Sequence, residues 1–173
     1  MDEALDAAGI GHAFGGALAL AYYAEPRATI DIDVNLFVDP QRYREVLAVL
    51  EPLGIDRAPA EDTVLRDGQG RLWWGRNPVD LFFAYHGLHD AMRDRTRTVP
   101  FGDDEIPIIA PEHLLTAKVL FNRAKDWLDI EQMLVTVSGL DMDEVWRWLD
   151  EFLPPDDERL DHMRRVQQEA LGR

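Results

Sequence analysis

The chain of 173 residues is 46% hydrophobic and 29% charged, enough for one domain with a buried core, or for one carrying a small helical annex. Its formal net charge of −15 weighs against broad electrostatic attraction to nucleic acid, and a sequence without cysteine excludes disulfides and thiolate metal sites. No apolar run reaches the roughly 18 residues a membrane span needs, and the acidic start Met1-Asp2-Glu3 is unlike a secretory leader, so a cytoplasmic protein with no membrane partner is expected.

Met1 to Ala8 reads as a short helix closed by Gly9, and Ile10 to Phe14 as a short strand that runs into Gly15-Gly16. Ala17 to Ala24, rich in Ala and Leu, favours a helix that Pro26 ends. Between Ile30 and Val38 the apolar residues alternate with Asp31, Asp33, Asn35 and Phe37, the period of a strand with one apolar face. Asp39 is expected to cap a helix that Pro40 opens and that reaches about Leu53. Thr63 to Arg66 and Arg71 to Trp74 read as strands joined by a hairpin turn at Asp67-Gly68-Gln69-Gly70. Val79 to Tyr85 alternates again, with Val79, Leu81 and Phe83 on one side and Asp80 and Phe82 on the other. A short helix near Leu88 to Arg95 and small strands around Thr98 to Phe101 and Ile106 to Ile108 follow.

After Pro111 only helical spacing remains: Glu112 to Asn122, Lys125 to Val137, Met142 to Phe152 and Glu158 to Leu171, with Asp141 and Asp156 as caps. The expected architecture is α/β (α+β), a mixed sheet flanked by helices over residues 1–110, then a helical segment over 111–173 packed on that core. Charge is uneven along it. Arg66, Arg71, Arg76, Arg93, Arg95 and Arg97 face only Asp67, Asp80, Asp90 and Asp94 in the middle of the chain, as a local basic face or as solvated surface.

Asp31 and Asp33 project from one strand face, roughly 7 Å apart by the rise per residue. Such a pair is relieved by a cation between them, and Mg²⁺ suits it because that ion takes oxygen ligands and shares them with substrate phosphates. The plainer reading is two acids facing solvent. Gly15-Gly16 sits where a strand hands over to a helix, so bare backbone there can approach an anion. Asp80 is a third acid inside an apolar strand, and three carboxylates on neighbouring strands can hold one or two ions.

Gly15-Gly16, Arg27, Thr29, Asp31-Ile32-Asp33 and the later Asp80 together resemble the nucleotidyltransferase fold superfamily. The Arg-x-Thr-x-Asp-Ile-Asp form is similar to the AbiEii-type toxin nucleotidyltransferases. Pro111-Glu112-His113-Leu114-Leu115, then Lys118, Arg123 and Lys125-Asp126-Trp127-Leu128-Asp129-Ile130, resemble that group's helical Lys motif and the basic-Asp-x-x-Asp stretch after it. The resemblance implies transfer of a nucleoside monophosphate from an NTP to an acceptor, with Mg²⁺ as cofactor. The acceptor is a tRNA end if the chain is a toxin with a cognate antitoxin. Small antibiotic nucleotidyltransferases share the same motif, and an acidic protein suits a cationic aminoglycoside. A non-catalytic relative serving as a binding or antitoxin module is the remaining alternative. Carried over, Gly15, Gly16, Arg27 and Thr29 bind the NTP and Asp31, Asp33 and Asp80 the metal. Asp80 alternatively takes the acceptor's proton, Lys118 neutralises the triphosphate, and Asp126 orients base, sugar or lysine.

Lys118 also stands out by itself. The chain has two lysines against sixteen arginines, and this one lies in the apolar run Leu114 to Phe121; its alternative is a snorkelling helix residue. His86 and His89 read as surface histidines, and Trp73-Trp74, Trp127, Trp146 and Trp148 as packing residues.

Overall fold

Period-two alternation becomes one mixed sheet. In the computed structural model, which describes residues 1–56, 59 and 61–172, the strands are β1 (His12–Phe14), β2 (Ile32–Leu36), β3 (Ile55–Asp56), β4 (Gln69–Trp74), β5 (Asn77–Phe83), β6 (Arg97–Phe101) and β7 (Asp104–Ile108). Among the described residues these seven pair in the order β3-β4-β5-β2-β1-β7-β6. β2 runs parallel to β5 and β1 parallel to β7, while the other neighbours are antiparallel.

The chain forms two compact units. The first comprises Met1–Ala19 and Ala28–Ile109, and the second Leu20–Arg27 and Ala110–Arg173, although Arg173 itself, the end of the expected helical segment, lies outside the described residues. The first unit holds the sheet and the helices α1 (Asp2–Ala7), α3 (Tyr43–Leu50), α4 (Glu61–Asp67) and α5 (Gly87–Asp94). α2 (Gly16–Leu20) follows β1 and ends where the chain enters the second unit.

One face of the sheet is a continuous apolar layer: Val34 and Leu36 of β2, Val79, Leu81 and Phe83 of β5 and Leu72 of β4 are fully buried. Fully burying such a side chain stabilises the fold by about 1.5–3 kcal/mol. α3 and α4 cover this face. Tyr43 meets Phe83 edge to face with ring centres 6.0 Å apart, and a Cβ at Gly70 would lie 3.1 Å from both Pro59 and Val64, so a side chain there would push those neighbours back by a few tenths of an ångström. The opposite face carries Asp33, Asn35, Asp80 and Arg71.

Two expectations need correction. Thr63 to Arg66 is helical, not extended, and lies inside α4. Glu61 and Asp62 in its first turn complement the helix N-terminus, only Val64 of its seven residues is buried, and Gly68 in the left-handed region (φ +64°) closes it with its N–H on the Val64 carbonyl. The expected hairpin turn at residues 67–70 is therefore a helix end. The true hairpin joins β4 to β5 through Gly75-Arg76, where Trp74 pairs with Asn77 and Gly75 has φ +63°. The cap of the last helix is also one residue later than expected, since Asp157, not Asp156, accepts the Arg159 N–H.

The second unit is helical: α6 (Pro111–Phe121), α7 (Ala124–Thr136), α8 (Met142–Phe152) and α9 (Glu158–Leu171). α6 is buried nearly all round, as a helix with α7, α8 and α9 about it must be. Its neighbours are amphipathic. They contribute Ile130 and Met133, Val145 and Leu149, and Leu160 and Met163 to the core. Thr136 fastens the short segment Leu20–Arg27 to this unit by donating its hydroxyl to the Tyr23 carbonyl at 2.6 Å.

Candidate active site

Strand register brings the site residues of the first unit into a row. Asp33 of β2 lies opposite Asp80 of β5 in the parallel pair, and Asp80 lies opposite Arg71 of β4. Directly paired residues share a face, so all three side chains stand on the side away from α3 and α4. Gly15, just past β1, continues the row by donating its N–H to the Asp33 carbonyl at 2.9 Å. Asp31 precedes Asp33 by two residues and so belongs to the same face.

The glycine turn is built against this row. Gly16 has φ +54°, a conformation that L side chains rarely adopt, and a Cβ added there would land on the Asp33 carboxylate. A Cβ at Gly15 would come within 2.8 Å of Asn35 Nδ2. Asn35 is 8% exposed and its Nδ2 reaches the Ala13 carbonyl at 3.5 Å. Both glycines therefore let bare backbone lie on the acidic face. α2 has only five residues, so the anion affinity expected of this turn rests on its backbone N–H groups more than on a long helix dipole. Thr29 is exposed and accepts the Asp31 N–H on its hydroxyl at 3.1 Å, a local turn that shapes the approach of residue 31.

Arg71 is the residue the sequence did not single out. Its Nε donates to Asp80 Oδ1 at 2.6 Å and its Nη2 to Oδ2 at 2.7 Å, a two-pronged pair. Its guanidinium is held protonated beyond its ordinary range, first by those hydrogen bonds and then, against the opposing effect of burial, by the charges of Asp80, Asp31 and Asp33. One cationic group thus feels all three acids. Its signal was the alternation of β4, which puts Arg71 on the face opposite Leu72.

Divalent metal fits this row by its chemistry. Asp31, Asp33 and Asp80 are hard oxygen donors on one face, the bare backbone of Gly16 lies against the Asp33 carboxylate, and the row already attracts a cation. Among the described residues, no three His, Asp or Glu side chains are drawn together at metal-ligand spacing.

The second unit gathers the other site residues into a buried charge network. Lys118 of α6 is 4% exposed in its side chain and donates to Asp129 Oδ2 at 2.6 Å, with Asp126 Oδ1 at 3.8 Å. Arg27 also binds Asp129, through Nε at 3.0 and 3.2 Å and Nη2 at 3.0 Å. Burial pushes the Asp129 carboxyl up, but the hydrogen bonds and charges of Arg27 and Lys118 outweigh it and hold it below its usual range. Asp126 is fully buried and accepts from the Arg123 backbone N–H at 3.2 Å and from its guanidinium at 2.6 and 3.0 Å, which caps α7. The i, i+3 spacing of Asp126 and Asp129 places both on the α7 face that meets Lys118.

No protein-family model matches the chain, and no curated protein matches it in sequence. Solved structures do match. The antibiotic-resistance factor ANT(2'')-Ia superposes with a TM-score of 0.60 at 17% identity, covering 87% of this chain and 85% of that one. An antigenic nucleotidyltransferase-like protein from Paracoccidioides brasiliensis gives 0.56 at 16% identity, covering 94% and 88%. The lincosamide antibiotic adenylyltransferase LnuA, solved with lincomycin bound, gives 0.52 at 15% identity, covering 78% and 92%. The chain has the nucleotidyltransferase fold. Within that fold, β2 and β5 supply the acids and the end of β1 supplies the glycine turn. Among the described residues no helix is long and apolar enough to cross a membrane.

Proposed function

We propose that the protein is a metal-dependent nucleotidyltransferase that moves a nucleoside monophosphate from an NTP to a hydroxyl of a small-molecule acceptor. The observation that carries this reading is the register Asp33↔Asp80 beside Gly15-Gly16, because it puts two acids and bare backbone on one face. Asp31 and Asp33 hold the metal with Asp80, and the N–H groups at Gly15 and Gly16 meet phosphate oxygens. Bound there, Mg²⁺ supplies positive charge to the triphosphate. In the transfer, the acceptor oxygen bonds to the α-phosphorus, the bond from that phosphorus to pyrophosphate breaks, and the hydroxyl proton passes to a carboxylate. Asp80 is the alternative candidate for that last role, in place of its part in holding the metal. In the same unit Thr29 shapes the approach to Asp31, and in the helical unit Arg27, Lys118 and Asp126 are proposed to act through their own network around Asp129.

A small acceptor is favoured by charge. At −15 the chain suits a cationic molecule and repels the phosphates of tRNA. LnuA binds lincomycin, and ANT(2'')-Ia has also been solved with adenylyl-2''-tobramycin, a structure that superposes with a TM-score of 0.50 at 12% identity and covers 98% of this chain and 92% of that one. The toxin reading, with tRNA as acceptor and a cognate antitoxin as partner, rests on the motifs at Arg27 to Asp33 and Lys118 to Ile130. The deciding experiment incubates the protein and Mg²⁺ with each α-labelled NTP and three acceptor pools: aminoglycosides, lincosamides and total RNA. Label in a small-molecule pool is expected. Label in RNA alone would replace this acceptor with tRNA, and no label anywhere would leave a non-catalytic module.

A further inference from the structure

We propose that Arg71 is the resident counter-ion of the acidic row, displaced from Asp80 when a divalent cation binds and then transferred to a phosphate of the bound nucleotide. The inference rests on the metal-nucleotide reading above and adds an order of events and a residue to it.

Geometry places Arg71 at the acidic row. It is paired with Asp80 in the β4–β5 register, and Asp80 with Asp33 in the β5–β2 register, so Arg71 ends a row that runs Asp33, Asp80, Arg71 across one sheet face. Both carboxylate oxygens of Asp80 are engaged, at 2.6 and 2.7 Å, which leaves that group committed to Arg71 until something stronger arrives. Arg71 is 53% exposed in its side chain and Asp80 19%, so the pair opens without disturbing packed core. Solvent screens the half-exposed guanidinium, whereas a divalent cation brings twice the charge to oxygen donors that suit it.

Once released, the guanidinium is a flat fork of donors whose geometry matches phosphate as well as carboxylate. The pair joins β4 to β5, whose register their backbone ladder already holds, and β4 also meets α4 through Gly70 and Val64 on the opposite face.

The test uses the whole chain and reads binding, not turnover. In ¹⁵N-labelled protein, with the Arg71 Nε–Hε signal assigned by its loss in Arg71→Gln, Mg²⁺ alone should move that signal, and pyrophosphate added afterwards should move it again. By calorimetry, Arg71→Gln should bind Mn²⁺ in the absence of nucleotide about three- to tenfold tighter than wild type, because Asp80 no longer has to shed a guanidinium. The same variant should bind Mg²⁺-pyrophosphate about tenfold more weakly. A signal unmoved at saturating Mg²⁺, or Mn²⁺ affinity in Arg71→Gln no tighter than wild type, overturns the displacement. Unchanged pyrophosphate affinity overturns the transfer to phosphate. If Mn²⁺ binds wild type and is lost in Asp80→Asn while Arg71→Gln behaves as wild type, only this inference falls. Failure of Mn²⁺ to bind any form removes the metal-site reading and this one with it.

Discussion

Replacing Asp129 by Asn separates the buried network of the helical unit from the acidic row of the sheet. The carboxylate takes three hydrogen bonds from Arg27, at 3.0, 3.2 and 3.0 Å, and one from Lys118 at 2.6 Å. The amide keeps the shape and removes the charge, so Lys118, 4% exposed, is left facing Asp126 at 3.8 Å, a carboxylate already bound by Arg123. Removing one partner of a buried pair costs about 3–5 kcal/mol. Arg27 is 31% exposed and recovers water, and the amide retains an acceptor oxygen, so the loss here is set at about 2–4 kcal/mol. For a chain of this length each kcal/mol lowers Tm by about 2–4 °C, which gives a fall of about 4–16 °C at pH 7 by calorimetry. The pH dependence has a definite sign. A carboxyl held below its unfolded value of about 3.9 contributes stability above that pH and loses it as pH falls through the folded value. The gap between wild type and Asp129→Asn should therefore narrow in that acid window. A pH 7 shift under about 2 °C, or a gap that widens in acid, would refute the network as a source of stability.

Gly16→Ala should strike the glycine turn itself. A left-handed φ costs a non-glycine residue about 1–2 kcal/mol, and the new methyl displaces the Asp33 carboxylate, so Mg²⁺-nucleotide binding should fall at least about tenfold while Tm drops only a few degrees. Retained nucleotide affinity measured by calorimetry would separate the turn from the site. Of the labelled-acceptor pools, the small-molecule ones are expected to take label, and the Arg71→Gln variant is expected to gain Mn²⁺ and lose pyrophosphate affinity.

Much of the fold was written in local pattern. Alternation at Val79, Leu81 and Phe83 against Asp80, and at Val34 against Asp33, is a steric property of extended chain, and it was enough to show one apolar and one acidic face. The four C-terminal helices followed from spacing, with Met142–Phe152 found at its expected ends behind its expected cap, Asp141. Residues 61–67 misled because Thr63-Val64-Leu65 is rich in strand formers, while the acidic first turn and a single buried contact decided for helix. What lay beyond reading was long-range. Nothing local says that Arg27 meets Asp129, 102 residues later, or that the segment Leu20–Arg27 joins the helical unit. Arg71 was hidden for a different reason: alternation along β4 sets its face, but only the strand register sets it opposite Asp80.

The most direct measurement of the acidic row is titration calorimetry of each Mg²⁺-NTP into wild type and Asp33→Asn, with Tm measured on both. At least one nucleotide should bind wild type, and Asp33→Asn should weaken it more than about tenfold with Tm nearly unchanged, since Asp33 stands on the polar face. Equal affinity in the two proteins would contradict the account.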